Sequence, residues 1–433
     1  MTPIQIGMAG FGLLIALMLV GLPVGLVMFF VGFAGFAFIV TWSSSFSLVA
    51  RDLFGIMSSY NLTVVPLFVL MGQVAFHAGI SGRLFNTANK FLGHHRGGLA
   101  MATIGACAGF SAICGSTTAT AATMASVALP EMRKYNYDPA LATGVVAAGG
   151  SLGILIPPST IFIIYGIMTE QSVGKLFMAG ILPGIILALL FIAVIMIWTY
   201  LKPEIAPITP RASWAEKLKS LSGVIETFIL FGLVMVGLFI GFFTPTEAAA
   251  VGAFGTIVIA IVGRNLTWNG FLQALKETTR ISCMIMLIVA GATVFGHFLA
   301  VTTIPMKIGA WVLTLDIHRG LIIGLIICVY LFLGCLMDSL AMIMLTIPIF
   351  FPVVTTLGYD PIWFGVIIVV VTEMGVLTPP VGINVYVVGG IARDVPLHVI
   401  FKGAMYLLIA QLVLAILLIM FPQIALILPS YMK

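Results

Sequence analysis

Charge is what this sequence most lacks. Of 433 residues only 8% are Asp, Glu, Lys or Arg, against 61% hydrophobic. A soluble domain carries about 25% charged side chains, so a water-soluble globule is excluded for want of polar surface. Alternation is missing as well: runs such as Ile185 to Leu201 are continuously apolar, which excludes a transmembrane β-barrel. No Lys or Arg precedes Arg51, so the charged start of a cleavable signal peptide is absent. The five cysteines (Cys107, Cys114, Cys283, Cys328 and Cys335) contain no CxxC pair and read as small buried hydrophobes, not disulfides or metal ligands. The six histidines form no metal-spacing cluster. Walker A, GxGxxG and HExxH patterns are all absent, which leaves nucleotide-powered and metallohydrolase chemistry without residues. The net charge of +5 comes without a basic arm, so no nucleic-acid partner is expected.

What is there is a series of apolar runs close to or above the about 20 residues that cross a bilayer. The fold class is an all-α polytopic membrane protein, with the lipid bilayer as its first partner. A shift of 222 residues lays the second half on the first: Tyr137-Asp138-Pro139 meets Tyr359-Asp360-Pro361, and Gly153 to Pro158 meets Gly375 to Pro380. Pro23, Pro130 and Pro207 fall on Pro245, Pro352 and Pro429 at the same offset. Such self-similarity marks an internal repeat. The first half reads as spans near 4–20, 24–41 and 61–80, a polar stretch over 81–98, a two-part segment (99–113 and 116–130), and spans near 139–170 and 174–201. The second reads as spans near 222–243, 246–263 and 281–300, an amphipathic stretch over 301–319, a two-part segment (320–335 and 338–355), and spans near 361–390 and 402–427. Residues 202–221 form the charged link.

A leg of about 15 residues reaches roughly 22 Å, short of the ~30 Å hydrocarbon core. Each two-part segment is therefore expected to be a re-entrant hairpin. Five spans and one hairpin per half make the two repeats inverted in topology. With the N-terminus outside, Arg51, Lys175, Lys307, Arg319 and Lys433 are external and the other 14 of the 19 Lys and Arg are cytoplasmic, in keeping with the positive-inside bias.

Inverted repeats with interrupted spans point to a secondary transporter, not an enzyme. At Gly153-Ile-Leu-Ile-Pro157-Pro158-Ser159 two prolines remove two donors and push the preceding residues out of the α region. Gly375-Val-Leu-Thr378-Pro379-Pro380-Val-Gly382, with Asn384 just beyond, repeats the device. Each is either a kink or an unwound stretch whose carbonyls coordinate a cation. The hairpin tips carry Ser111, Gly115, Ser116 and Thr117 in one half and Asp338 and Ser339 in the other. Small hydroxyl residues there supply oxygens or close helix packing. The second leg begins at each tip, so its N-terminus favours an anionic substrate, while hydroxyls and carbonyls near Ser116, Gly153, Asp338 and Gly375 suit Na⁺. Asp338 serves as a cation ligand or an N-cap. Glu373, an acid at membrane depth, is a proton site, an ion ligand or a neutral buried acid. Glu247, in Thr244-Pro-Thr-Glu247, reads as a cap.

His95-Arg-Gly-Gly98, Gly109-Phe-Ser-Ala-Ile-Cys-Gly-Ser116, Ile156-Pro-Pro-Ser159, Asp338 and Leu377-Thr-Pro-Pro-Val-Gly-Ile-Asn384 together resemble the large membrane subunit (DctM type) of tripartite ATP-independent periplasmic, or TRAP, transporters. Ala112 stands where that family often has glycine, and Val371-Thr372 where Asn-containing sequences are common. The resemblance implies an elevator-type fold. Its scaffold would be 1–98 and 222–319, and its transport domain 99–201 and 320–433. It further implies Na⁺-coupled uptake of an organic acid across the bacterial inner membrane, with no cofactor besides the coupling ion. A periplasmic binding protein would deliver the acid, and a small four-helix membrane subunit would accompany the chain.

Two rival readings are a stand-alone Na⁺-coupled dicarboxylate or anion transporter of the ion-transporter superfamily, to which the resemblance would also assign this chain, and, more remotely, an intramembrane serine hydrolase built on Gly109-Phe110-Ser111-Ala112. The symmetry mate of Ser111 is Leu333, which can do no such chemistry. The inverted topology makes a direct prediction. A cysteine introduced by Ser213→Cys in the link should resist a membrane-impermeant thiol reagent in intact cells and react after permeabilisation. Labelling without permeabilisation would reverse the orientation.

Overall fold

The computed structural model describes residues 2–314 and 318–432, and among these all regular structure is helical. Element boundaries recur at the sequence offset. Pro3–Leu19, Val24–Ile39 and Thr117–Lys134 in the first half correspond to Ile225–Phe239, Pro245–Val262 and Ser339–Thr356 in the second. The repeated Tyr-Asp-Pro explains one boundary. Asp138 Oδ1 accepts from the backbone N–H groups of Ala140 and Leu141 at 2.8 and 3.1 Å, and Asp360 Oδ1 from those of Ile362 and Trp363 at 2.7 and 3.1 Å. An N-cap followed by proline at the first helical position starts both helices, because that proline gives up a donor with no helical partner.

Among the described residues seven helices are long and apolar enough to cross a membrane, one of them the hairpin leg Ser339–Thr356, so six of the ten expected spans reach that length. Pro3–Leu19, Val24–Ile39 and Pro361–Gly375 are 15 to 17 residues long, cut short by turns at Gly21-Leu22-Pro23 and by the second break. The hairpin legs, Gly98–Cys114 with Thr117–Lys134 and Arg319–Gly334 with Ser339–Thr356, are 16 to 18 residues, longer than expected in the first hairpin and as expected in the second. At 1.5 Å per residue they reach about 24–27 Å.

Three features depart from the sequence reading. An amphipathic helix at Trp42–Met57, where no element was expected, exposes Trp42, Phe46 and Phe54. Its counterpart is the first part of Trp268–Thr302, a single helix of 35 residues that runs without interruption into the span expected at 281–300. Of the five cysteines, Cys283 and Cys328 are exposed on the chain's apolar exterior, so burial within the chain holds only for Cys107 and Cys114, with Cys335 half-buried; all five are free thiols. The arms form as helices Ile80–Leu92 and Ile304–Thr314, and residues 315–317 of the second lie outside the described residues.

Glycines set the packing. Val24–Ile39 runs along Trp268–Thr302, and a Cβ on Gly291 would collide with Gly25 O. Val64–His77 packs on Pro245–Val262 in the same way that its mate packs on Val24–Ile39. Two polar side-chain contacts cross between the halves here, His77 Nε2 to Glu277 Oε2 at 3.2 Å and His297 Nε2 to Asp52 Oδ2 at 3.0 Å. The remaining helices pack mainly among themselves. Leu397–Met420 crosses Pro139–Gly150 where Gly403 and Gly144 touch, and a Cβ on Gly403 would strike Ala140 O. Small residues allow such backbone approach in lipid, where no hydrophobic force drives helices together.

Gly403→Ala should therefore lower the thermal midpoint in detergent, by an overpacking cost of about 1–3 kcal/mol. Gly296→Ala, whose Cβ meets nothing within 4 Å, should leave it unchanged or raise it. Equal midpoints for the two variants would show that the crossing tolerates separation.

Candidate functional site

The first hairpin turns on Gly115, whose φ of +64° suits glycine, and a Cβ there would also meet Pro158 O at 2.7 Å. Ser116 then caps Thr117–Lys134, its Oγ accepting from Ala119 N–H at 3.4 Å. The unwound stretch between Leu155 and Thr160 lies against this tip. Thr160 donates to Gly115 O through its hydroxyl at 3.0 Å and its N–H at 3.4 Å. Gly153 approaches Ser116 O and stands 2.9 Å, measured from a built Cβ, from the hydroxyl of Thr120. Ser159 restarts the helix by accepting from Phe162 N–H at 3.3 Å.

The second tip uses three residues, Cys335 to Met337, where the first uses one. Asp338 caps Ser339–Thr356, with Oδ2 accepting from Leu340 N–H at 3.1 Å. The break after Gly375 again rests on its own hairpin: Val381 donates to Cys335 O at 3.2 Å, Thr378 Oγ1 lies 2.8 Å from Cys335 Sγ, and Gly334 and Gly375 meet backbone to backbone. Gly382, at φ +57°, restarts the helix.

Both tips open onto one cavity of about 90 Å³, walled by Ser116, Thr117 and Thr118 from the first and Asp338 and Ser339 from the second. Its far wall is Val69 and Gln73 on Val64–His77 with Ile281, Met284 and Ile285 on Trp268–Thr302. Two helix N-termini therefore face the same space, each with partial positive charge. The first legs end beside them and bring backbone carbonyls.

Behind Thr117 runs a buried polar chain that joins the halves. Asn384 Nδ2 donates to Ala147 O at 3.1 Å and to Thr117 Oγ1 at 2.8 Å, and the Thr117 hydroxyl reaches Glu373 Oε2 at 3.5 Å. Glu373 and Asn384 are fully buried. Glu373 Oε1, Thr372 Oγ1, Thr120 Oγ1 and Ser339 Oγ are all buried with no partner among the described residues.

Of the residues singled out by sequence, Ser116, Thr117, Asp338 and Ser339 meet in the cavity, and Gly115, Gly153 and Pro158 form the backing of the first tip. Glu373 and Asn384 meet Thr117 from behind. Gly375 and Thr378 brace the second tip. Ser111 stands apart, its hydroxyl donated to Cys107 O at 2.6 Å. Pro379 and Pro380 are exposed, while Pro157 is buried but absent from the cavity wall. Asp338 is an N-cap, and it also lines the cavity. Glu247 caps as expected, its Oε2 accepting from Thr244 N–H at 2.8 Å. Sequence reasoning passed over Gln73 and Thr160, while Thr118 and Thr120 belong to the hydroxyl run read at the first tip. Gln73 carried a usable signal as a polar residue inside an apolar span.

The fold is similar to that of a solved membrane protein. The YdaH transporter of Alcanivorax borkumensis superposes with a TM-score of 0.59 at 13% identity, covering 89% of this chain and 90% of that one, a likeness of fold alone. In sequence, the C4-dicarboxylate TRAP transporter large permease protein DctM of Pseudomonas aeruginosa is 38% identical over 385 residues, 89% of this chain and 90% of its own. The sialic acid TRAP transporter large permease protein SiaM of Vibrio cholerae is 35% identical over 417 residues, 96% of each chain. The family described as "Tripartite ATP-independent periplasmic transporter, DctM component" matches residues 11–424. With that match over nearly its whole length, the chain belongs to the DctM family, the large multi-pass membrane permeases of TRAP transporters.

Proposed function

We propose that this permease takes up an organic acid, a C4-dicarboxylate, sialic acid or similar carboxylate, in symport with Na⁺ across the bacterial inner membrane. The observation that carries this reading is the meeting of both hairpin tips in one cavity. Two capped helix N-termini favour a carboxylate there, and both relatives described above are named for acids. Hydroxyl, carboxylate and carbonyl oxygens are hard donors that fit Na⁺. Thr120 Oγ1 and Ser339 Oγ, buried without partners, are acceptors such an ion would satisfy, with Gly153 and Ser116 O beside the first. Na⁺ near Ser116 and Gly153 in one half, and near Asp338 and Gly375 in the other, follows the repeat. The family's description as tripartite supports a periplasmic binding protein and a small four-helix membrane subunit as partners.

Movement of 99–201 with 320–427 as one body against 1–80 and 222–300 would carry the cavity between faces. Supporting it, the cavity wall offered by 1–80 and 222–300 is apolar apart from Gln73, and the glycine crossings Gly25–Gly291 and Gly144–Gly403 each lie within one body.

Reconstituted with its partners in proteoliposomes, the protein should lose uptake when Na⁺ is replaced by choline at constant pH and voltage. Asp338→Asn preserves the cap but not the charge. Removing a charged ligand costs about 1.5–3 kcal/mol, so half-maximal uptake should require about tenfold more Na⁺ or beyond. An unchanged Na⁺ titration would reduce Asp338 to its cap.

Movement has its own test. With the native cysteines replaced, a cysteine pair placed where Ser339–Thr356 packs on Trp268–Thr302, away from the residues that wall the cavity, can be joined by a short bifunctional thiol reagent. Uptake should stop while Na⁺-dependent substrate binding at the trapped face survives. Cross-linked protein that transports at the normal rate would make the hairpins local gates.

A further inference from the structure

The arm helix Ile80–Leu92 and the linker helix Trp214–Leu221 lie side by side and enclose a groove of about 460 Å³, remote in sequence from both hairpin tips. Two contacts fasten its rim. Thr87 Oγ1 donates to Ser220 O at 2.9 Å, and the Lys217 ammonium sits 5.6 Å from the Phe91 ring and 5.0 Å from the Trp214 ring, close enough for cation–π attraction.

Three cations line the groove, Arg83, Lys90 and Lys219, with a single carboxylate, Glu216. That carboxylate is engaged, because its Oε2 accepts from the Ser213 N–H at 2.8 Å and from the Ser213 hydroxyl at 3.0 Å. Arg83 has donors to spare. The side-chain amide of Asn265, oriented so that its nitrogen donates to Gly263 O, offers its oxygen to Nη1. Nε and Nη2 are buried and have no partner among the described residues. A guanidinium holding two unused donors in a planar fork matches the paired oxygens of a phosphate. The linker helix meanwhile turns Trp214 and Leu218 outward at 69% and 65% exposure. An aromatic ring and aliphatic side chains beside a basic groove are what an interfacial helix presents to headgroups and acyl chains.

We propose that this groove holds the phosphate of an anionic phospholipid headgroup. Arg83 supplies the fork, Lys90 and Lys219 flank it with charge, and Trp214 and Leu218 lie along the acyl chains. Free phosphate offers the same oxygens but nothing for the apolar face, which favours the lipid as the source.

The test uses the full chain, delipidated in detergent and titrated with phosphatidylglycerol, phosphatidylcholine or inorganic phosphate. Bound lipid is counted by native mass spectrometry and the thermal midpoint is followed in parallel. Phosphatidylglycerol should bind tightest and raise the midpoint, while inorganic phosphate should leave it unmoved. Lys90→Gln and Lys219→Gln should each weaken phosphatidylglycerol about fivefold, the equivalent of about 1 kcal/mol per cation at 1.4 kcal/mol per tenfold. Lys219 is exposed, so its replacement spares the fold even where Arg83→Gln does not. Arg83→Lys, which keeps the charge and loses the fork, should weaken binding too, and Lys307→Gln, on the other arm, should not. Equal affinity for phosphatidylcholine in the wild type would overturn the proposal, as would Lys90→Gln and Lys219→Gln proteins that hold phosphatidylglycerol as the wild type does. A midpoint raised as far by inorganic phosphate would replace the lipid with the free ion.

Discussion

Backbone polar groups exposed inside a membrane have to be satisfied by the protein itself, and the rest of this structure depends on how that is done at two places. Where the helices after Gly153 and Gly375 unwind, the donors and acceptors released find partners on the hairpin tips. Gly115 O receives Thr160, and Cys335 O receives Val381. Hairpin and broken helix are therefore one construction: without its tip each break would leave orphan groups at a cost of several kcal/mol apiece. The glycines that permit the contact, at 115, 153, 334 and 375, leave no room for a side chain.

The two halves solve this problem with the same boundaries and different chemistry. Ser116 and Asp338 occupy equivalent caps, one neutral and one acidic. The mates of Glu373 and Asn384 are Ser151 and Phe162, so the buried polar chain exists on one side only. Ser151 instead accepts from Gln411 Nε2 at 2.9 Å. The halves are thus joined by Ser151 with Gln411 as well as by the contact of Thr117 with Asn384 and Glu373. The Thr117 contact ties the first tip to the second broken helix, so that each half depends on the other for a satisfied core.

Family membership follows from sequence and is consistent with this architecture. The hydroxyl tips, double-proline breaks and Tyr-Asp-Pro caps were all legible because each is a local device with a fixed residue requirement. Proline cannot donate, glycine suits the left-handed turn of the first tip, and Asp before proline starts a helix. The long helix Trp268–Thr302 and the surface helix Trp42–Met57 were not legible as spans. Their amphipathic portions carry charges whose partners, His77 for Glu277 and His297 for Asp52, come from the opposite half.

By itself the sequence determined the membrane class, the repeat and its offset, the positions where helices must break, and the residues at each tip, since composition and local backbone chemistry suffice for all of these. Only the tertiary structure decided that the two tips share one cavity, that Gln73 and Met284 close it, and that Thr117 reaches Asn384 across 267 positions. It also decided that Arg83 is left with unused donors beside the linker. These facts depend on which helices cross which, and that is settled by glycine contacts between distant segments that no local pattern encodes.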